Sequence, residues 1–166
     1  MNKIIIVDDH SLFRESIKLL IENENLGEVI GEAENGQVFL NLLKTLSPDL
    51  VIMDIEMPVM GGLEAIRKGL KMKHNLKILV FSMQNEASNY IELIRAGAMG
   101  IILKTSGKNE FEKAIKAIAK DDNYFSPELR PFIVANSKDT FTPTSVDIQK
   151  VTEKLTESES KVLNFR

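Results

Sequence analysis

Five polar side chains stand where apolar runs stop. Asp8 and Asp9 follow Ile4 to Val7, Asp54 follows Val51 to Met53, Ser82 follows Lys77 to Phe81, and Lys104 follows Gly100 to Leu103. A carboxylate at the tip of a buried strand is held rigidly and still meets solvent, which is where an open α/β sheet keeps its chemistry. Three carboxylates packed together repel one another and raise their own pKa values unless a cation sits among them. Oxygen-only ligands on a partly hydrated site suit Mg²⁺, which takes one or two carboxylates plus a phosphate oxygen. A carboxylate can also attack phosphorus and form an aspartyl phosphate. Phosphoryl transfer needs mostly positioning and neutralisation of charge on the equatorial oxygens. Mg²⁺ would take one of those oxygens, the Lys104 ammonium another, and the Ser82 hydroxyl or a backbone N–H a third. The set reads as a phospho-acceptor site. Each residue also has a plainer use: Asp ends strands in turns, paired aspartates cap helices, and Lys solubilises a sheet rim. The chemical reading depends on all five reaching one edge.

The elements that must bring them there alternate. Ile4–Val7 and Lys77–Phe81 are runs rich in β-branched residues, read as buried strands, as are Val51–Met53 and Gly100–Leu103; Glu28–Ala33 is a more modest one. Between them the apolar period becomes helical: Leu12 or Phe13, with Ile17, Leu20 and Ile21; Phe39, Leu42, Leu43 and Leu46; Leu63, Ile66 and Leu70. Glu86 to Ala96 is a fourth helix stopped by Gly97, and Phe111, Ile115 and Ile118 face the core from a fifth. Five strands alternating with five helices over about 120 residues predict a parallel sheet covered on both faces. Right-handed crossovers put every strand carboxyl end on one edge. The expected fold class is flavodoxin-like (βα)5 with strand order 2-1-3-4-5, in which strands one and three meet at the switch point.

The 166 residues, 43% hydrophobic and 27% charged with a formal net charge of −3, fit one domain plus an appendage. The mild negative balance gives no support for nucleic-acid binding by the whole chain. With no cysteine, disulfides and thiolate metal sites are excluded. The first apolar run is too short for a signal peptide and no stretch approaches the length of a membrane span, so the expected location is the cytoplasm with no membrane partner. After Lys120 the character changes to Asp, Asn, Ser, Thr and Pro, which reads as a linker over 123–152 with a short helix near Pro127 to Ala135. Order returns at 153–166: Thr156 with Glu159 three residues on, ahead of Val162-Leu163, is a capping-box pattern.

Residues 1 to 122 resemble the receiver domain of two-component response regulators. The resemblance is carried by Val7-Asp8-Asp9-His10, by Asp54-Ile55-Glu56-Met57-Pro58 with Gly62, by Phe81-Ser82 and by Leu103-Lys104. It implies that Asp54 is phosphorylated and that Asp9 and Asp54 bind Mg²⁺ directly. It implies too that Asp8 acts through water, that the backbone carbonyl of Glu56 completes the metal site, that Ser82 is the hydroxyl switch and that Lys104 pairs with the phosphoryl group. The implied partner is a sensor histidine kinase. The Asp-Asp-His-x-x-Phe-Arg opening and Ser126-Pro127-Glu128-Leu129 are similar to the NarL/FixJ subfamily. Leu155-Thr156, Glu159 and Val162-Leu163 resemble the first helix of a LuxR-type helix-turn-helix domain, with Ser158 where that family usually has Arg. The recognition helix of such a domain would follow Arg166, so DNA is expected as a partner only through that missing part, and a homodimer is an open expectation.

Two departures bear on how a signal leaves the site. Ile101 stands where the family often has an aromatic switch residue, and Thr105 replaces the proline common after the lysine. A haloacid-dehalogenase-like phosphatase would also use an aspartyl phosphate and Mg²⁺, but it needs its nucleophile on the first strand. A receiver-like module that binds partners without taking phosphate is the other alternative, against which the intact Asp8, Asp9, Asp54, Ser82 and Lys104 argue. His10 is read as a loop or helix-start residue and His74 as a solvated one.

Overall fold

Aliphatic side chains run without a break along the central strands, and the computed structural model buries them from both sides. Residues 1–83 and 89–137, with Glu153 and Glu157, are described. The strands are β1 (Lys3–Val7), β2 (Glu28–Ala33), β3 (Leu50–Asp54), β4 (Lys77–Ser82), β5 (Gly100–Leu103) and β6 (Tyr124–Phe125). They form one sheet of order β2-β1-β3-β4-β5-β6, parallel at every pairing. The order 2-1-3-4-5 is as expected. The sixth strand is an addition, contributed by two residues at the start of the stretch read as linker.

The helices are α1 (Ser11–Asn23), α2 (Gly36–Leu43), α3 (Gly62–Met72), α4 (Tyr90–Ala96), α5 (Lys108–Ala119) and α6 (Arg130–Ser137). Two apolar layers result. One face of the sheet, through Ile5, Val7, Val51, Met53, Ile78 and Val80, packs with Phe39, Ile66 and Leu93. The other, through Ile4, Ile6, Ile52 and Leu79, packs with Ile17, Ile21, Phe111 and Ile118. Fully burying each such side chain contributes roughly 1.5–3 kcal/mol, so the strand ends rest on an unyielding base.

The helix of Glu86 to Ala96 is observed over Tyr90–Ala96, its first residues lying outside the described set. Gly97 closes it at φ 113°, a left-handed conformation that suits a residue without Cβ. The short helix anticipated near Pro127 begins at Arg130 and packs against α4. Thr156 and the capping box fall outside the described residues. No helix among the described residues is long and apolar enough to cross a membrane.

Candidate functional site

β1 and β3 are neighbours in register, Val7 beside Met53, so Asp8 and Asp54 emerge side by side. Asp54 pairs with Phe81 across β3 and β4, which puts Ser82 one residue further along the same edge. Ser82 in turn pairs with Leu103, the residue before Lys104. The fold thus brings Asp8, Asp54, Ser82 and Lys104 to one edge, as the strand-end argument requires.

The contacts there are short and mostly buried. Lys104 Nζ donates to Asp8 Oδ2 at 2.8 Å and lies 3.2 Å from Asp54 Oδ2. Asp8 is 1% exposed and Asp54 6%. Asp54 Oδ1 accepts the N–H of Ile55 at 2.8 Å, which fixes the carboxylate plane and leaves Oδ2 facing the ammonium. Burial pushes the Asp54 carboxyl above its usual range and the Asp8 charge adds to this, while Lys104 pulls it back. For Lys104, burial alone would lower its affinity for a proton; the hydrogen bond to Asp8 and the charges of Asp54 and Asp8 outweigh it and hold the ammonium above its usual range.

Asp9 and His10 form the outer rim. The main-chain N–H of His10 donates to Asp8 Oδ1 at 2.8 Å, and its ring Nδ1 lies 3.1 Å from Asp8 Oδ1 and 3.0 Å from Asp9 Oδ1. His10 also provides the N-cap position of α1, matching its reading as a helix-start residue. One ligand atom from each of Asp8, Asp9, His10 and Asp54 lies within 4.8 Å of the others. The three carboxylates in this group supply the oxygen ligands that a hard divalent cation takes. Glu56 is exposed in the loop after β3.

That loop is tightly folded. The N–H of Gly62 donates to the carbonyl of Ile55 at 2.8 Å, and a Cβ on Gly62 would come within 2.2 Å of the Asp54 carbonyl oxygen. Only glycine permits the approach. Val59, 82% exposed, sits at φ 69°, a left-handed conformation costly for a β-branched residue and of the kind that clusters at functional sites.

Three contributors were not among the expected site residues. The ring of Phe13, in the first turn of α1, lies 4.8 Å from Lys104 Nζ and meets Phe81 edge-on at 5.5 Å between centroids. Arg14 donates to the Asp8 carbonyl at 2.6 Å. Ser126, beyond the five-strand core, accepts the N–H of Leu103. Phe13 and Arg14 lie within the Asp-Asp-His-x-x-Phe-Arg stretch, so a helical wheel starting at Ser11 would have turned them toward the site. Ile101, at the usual aromatic position, is completely buried in the core and pairs with Phe125 of β6.

Comparison with known proteins agrees with this arrangement. Residues 4–116 match the model of the response regulator receiver domain. The transcriptional regulatory protein YdfI of Bacillus subtilis is 41% identical over 129 residues, covering 78% of this chain and 60% of YdfI. The nitrate/nitrite response regulator NarL of Escherichia coli K12 is 32% identical over 149 residues, covering 90% of this chain and 69% of NarL. The crystal structure of a LuxR-family two-component response regulator from Aurantimonas sp. SI85-9A1 superposes with a TM-score of 0.77 at 31% identity, covering 84% of this chain and 99% of that one. The chain spans only 60% of YdfI, the first of these relatives. From the strand-end geometry and these matches together, the chain belongs to the response regulator receiver domain family.

Proposed function

We propose that the chain is the receiver part of a cytoplasmic response regulator in which Asp54 accepts a phosphoryl group from a sensor histidine kinase and the resulting change controls a DNA-binding output. The observation that carries this is one ammonium held against two buried carboxylates at adjacent strand ends, Lys104 Nζ at 2.8 Å from Asp8 and 3.2 Å from Asp54. In the transfer, Asp54 Oδ2 attacks phosphorus, the phosphorus–nitrogen bond of the donor phosphohistidine breaks, and the imidazole nitrogen leaves with the electron pair and takes a proton. Mg²⁺ held by Asp8, Asp9, Asp54 and the Glu56 carbonyl would neutralise charge on the phosphoryl oxygens. Lys104 donates to a second oxygen from where it already stands, so little reorganisation is needed at the moment of reaction. The Ile55 N–H keeps Oδ1 occupied and leaves Oδ2 beside the Lys104 ammonium.

Phosphorylation adds roughly −1.5 to −2 charges at Asp54. The Ser82 hydroxyl now donates to the Met83 carbonyl at 3.0 Å, and the buried Tyr90 hydroxyl donates to the same carbonyl at 3.4 Å. Turning Ser82 toward the phosphoryl group removes a donor that the carbonyl shares with Tyr90, which biases the start of α4 toward a second arrangement. The test is intact mass after incubation with acetyl phosphate, with and without Mg²⁺, beside D54N. A phosphoryl-sized, Mg²⁺-dependent adduct on the native chain alone is expected. An equal adduct on D54N would overturn the assignment.

A further inference from the structure

Ser126 is completely buried although it follows the last strand, in a stretch whose composition reads as linker. Its main-chain N–H donates to the Ile101 carbonyl at 3.0 Å and so extends the β5–β6 ladder. The next donor in a parallel ladder is the N–H of Leu103, and its regular acceptor would be the Ser126 carbonyl. That carbonyl is taken instead by the N–H of Leu129 at 2.9 Å, because the chain turns at Pro127 toward α6. The Ser126 hydroxyl fills the place. It accepts the Leu103 N–H at 3.2 Å and donates to Glu110 Oε1 at 2.5 Å, in the first turn of α5.

Leu103 directly precedes Lys104, whose own N–H donates to the Ser82 carbonyl at 2.8 Å. The main chain carrying the ammonium is therefore pinned from β4 on one side and by Ser126 on the other. We propose that Ser126, oriented by Glu110, is a positioning residue of the phospho-acceptor site: it fixes the main chain behind Lys104, so that docking of the β6–α6 segment is a condition of full reactivity at Asp54. This rests on the reading of Asp54 as the acceptor. Lys104 must meet two carboxylates at once, and small misplacement of a charge-neutralising group is costly in rate. α6 is also the last described element before residues 138–166, so the segment leading toward an output and the reactive lysine share one hydrogen-bonded link.

The test uses the full 166-residue chain and follows the rate of the Mg²⁺-dependent adduct from acetyl phosphate, at a temperature where circular dichroism shows each variant folded. S126A and E110A are expected to slow the reaction about tenfold, the loss of roughly one hydrogen bond at the transition state. E110Q keeps an acceptor oxygen for the serine and is expected to restore the rate to within about twofold. Hydrogen exchange at the Leu103 amide should accelerate in S126A. A folded S126A that reacts at the native rate would overturn the inference while leaving the acceptor reading intact. If S126A fails to fold, equal rates for E110A and E110Q overturn it in the same way. No adduct on the native chain would overturn the acceptor reading, and this inference with it.

Discussion

The two ends of the same strands carry the same residue types in opposite surroundings. At the carboxyl edge, Lys104 joins Asp8 and Asp54 with side-chain exposures of 14%, 2% and 7%. At the amino edge, Asp49 Oδ2 accepts the N–H of Lys3 in the open, and Lys77 pairs with an Asp121 side chain that is 79% exposed. At the amino edge a cleft of about 770 Å³ opens between the Ser47–Asp49 and Met72–Lys77 segments. Charge is present at both ends. Only the carboxyl edge removes its charges from water, and a charge pair shielded from water interacts several times more strongly than an exposed one. The reactive edge is thus distinguished by what the layers beneath it exclude.

Removing the cation at each end separates the two most sharply. K104M leaves Asp8 and Asp54 facing one another without their shared partner, and in Mg²⁺-free buffer it is expected to lower unfolding free energy by about 2–4 kcal/mol. K77M breaks an exposed pair and should cost about 0–1 kcal/mol. Urea titrations of both variants check this, and equal losses would erase the distinction.

Substitution of the aspartates at the two ends of β3 gives a smaller, opposite-signed contrast. Because burial and the Asp8 charge raise the Asp54 pKa above its ordinary value, the folded chain binds a proton there more readily than the unfolded one. Stability from this group therefore falls as pH rises from the unfolded value through the folded one, and the penalty persists above that window. D54N removes the penalty. It should be more stable than the native chain at neutral pH without metal, with the advantage fading as pH drops toward the unfolded value. D49N should show no such gain, and thermal unfolding against pH reads both.

The smallest effect concerns Phe13. A double-mutant cycle between F13L and K104M should give a coupling of about 0.5–1 kcal/mol from the ring–ammonium contact. Additive losses would mean that Phe13 acts through packing against Phe81 alone.

Much of this edge was legible in the sequence, for a physical reason. Ile4–Val7, Val51–Met53 and Ile78–Phe81 are buried on both faces, so they show as unbroken apolar runs, and the polar residue that ends each run marks the edge. Convergence of Asp8, Asp54, Ser82 and Lys104 then follows from crossover handedness. Tyr124–Phe125 was not legible as a strand, since two residues are too few to show a period, and its pairing with β5 is set by tertiary contact. The role of Ser126 escaped for a related reason: it substitutes for a main-chain acceptor, and nothing in a serine announces that. Val59 is legible as a loop residue from its place after Pro58, but its left-handed backbone belongs to the tight turn in which the Met60 N–H donates to the Pro58 carbonyl, and it has no signature in residue type.

The comparison of edges meets its most direct test in the chemistry of β3, which carries Asp49 just before its first residue and Asp54 as its last. After reaction with acetyl phosphate and Mg²⁺, borohydride reduces an aspartyl phosphate to homoserine, and peptide mapping locates the converted residue. Conversion at Asp54 alone, with Asp49, Asp8 and Asp9 unchanged, is the predicted result. Homoserine at Asp49, or at either aspartate of the Asp8-Asp9 pair in place of Asp54, would contradict the account.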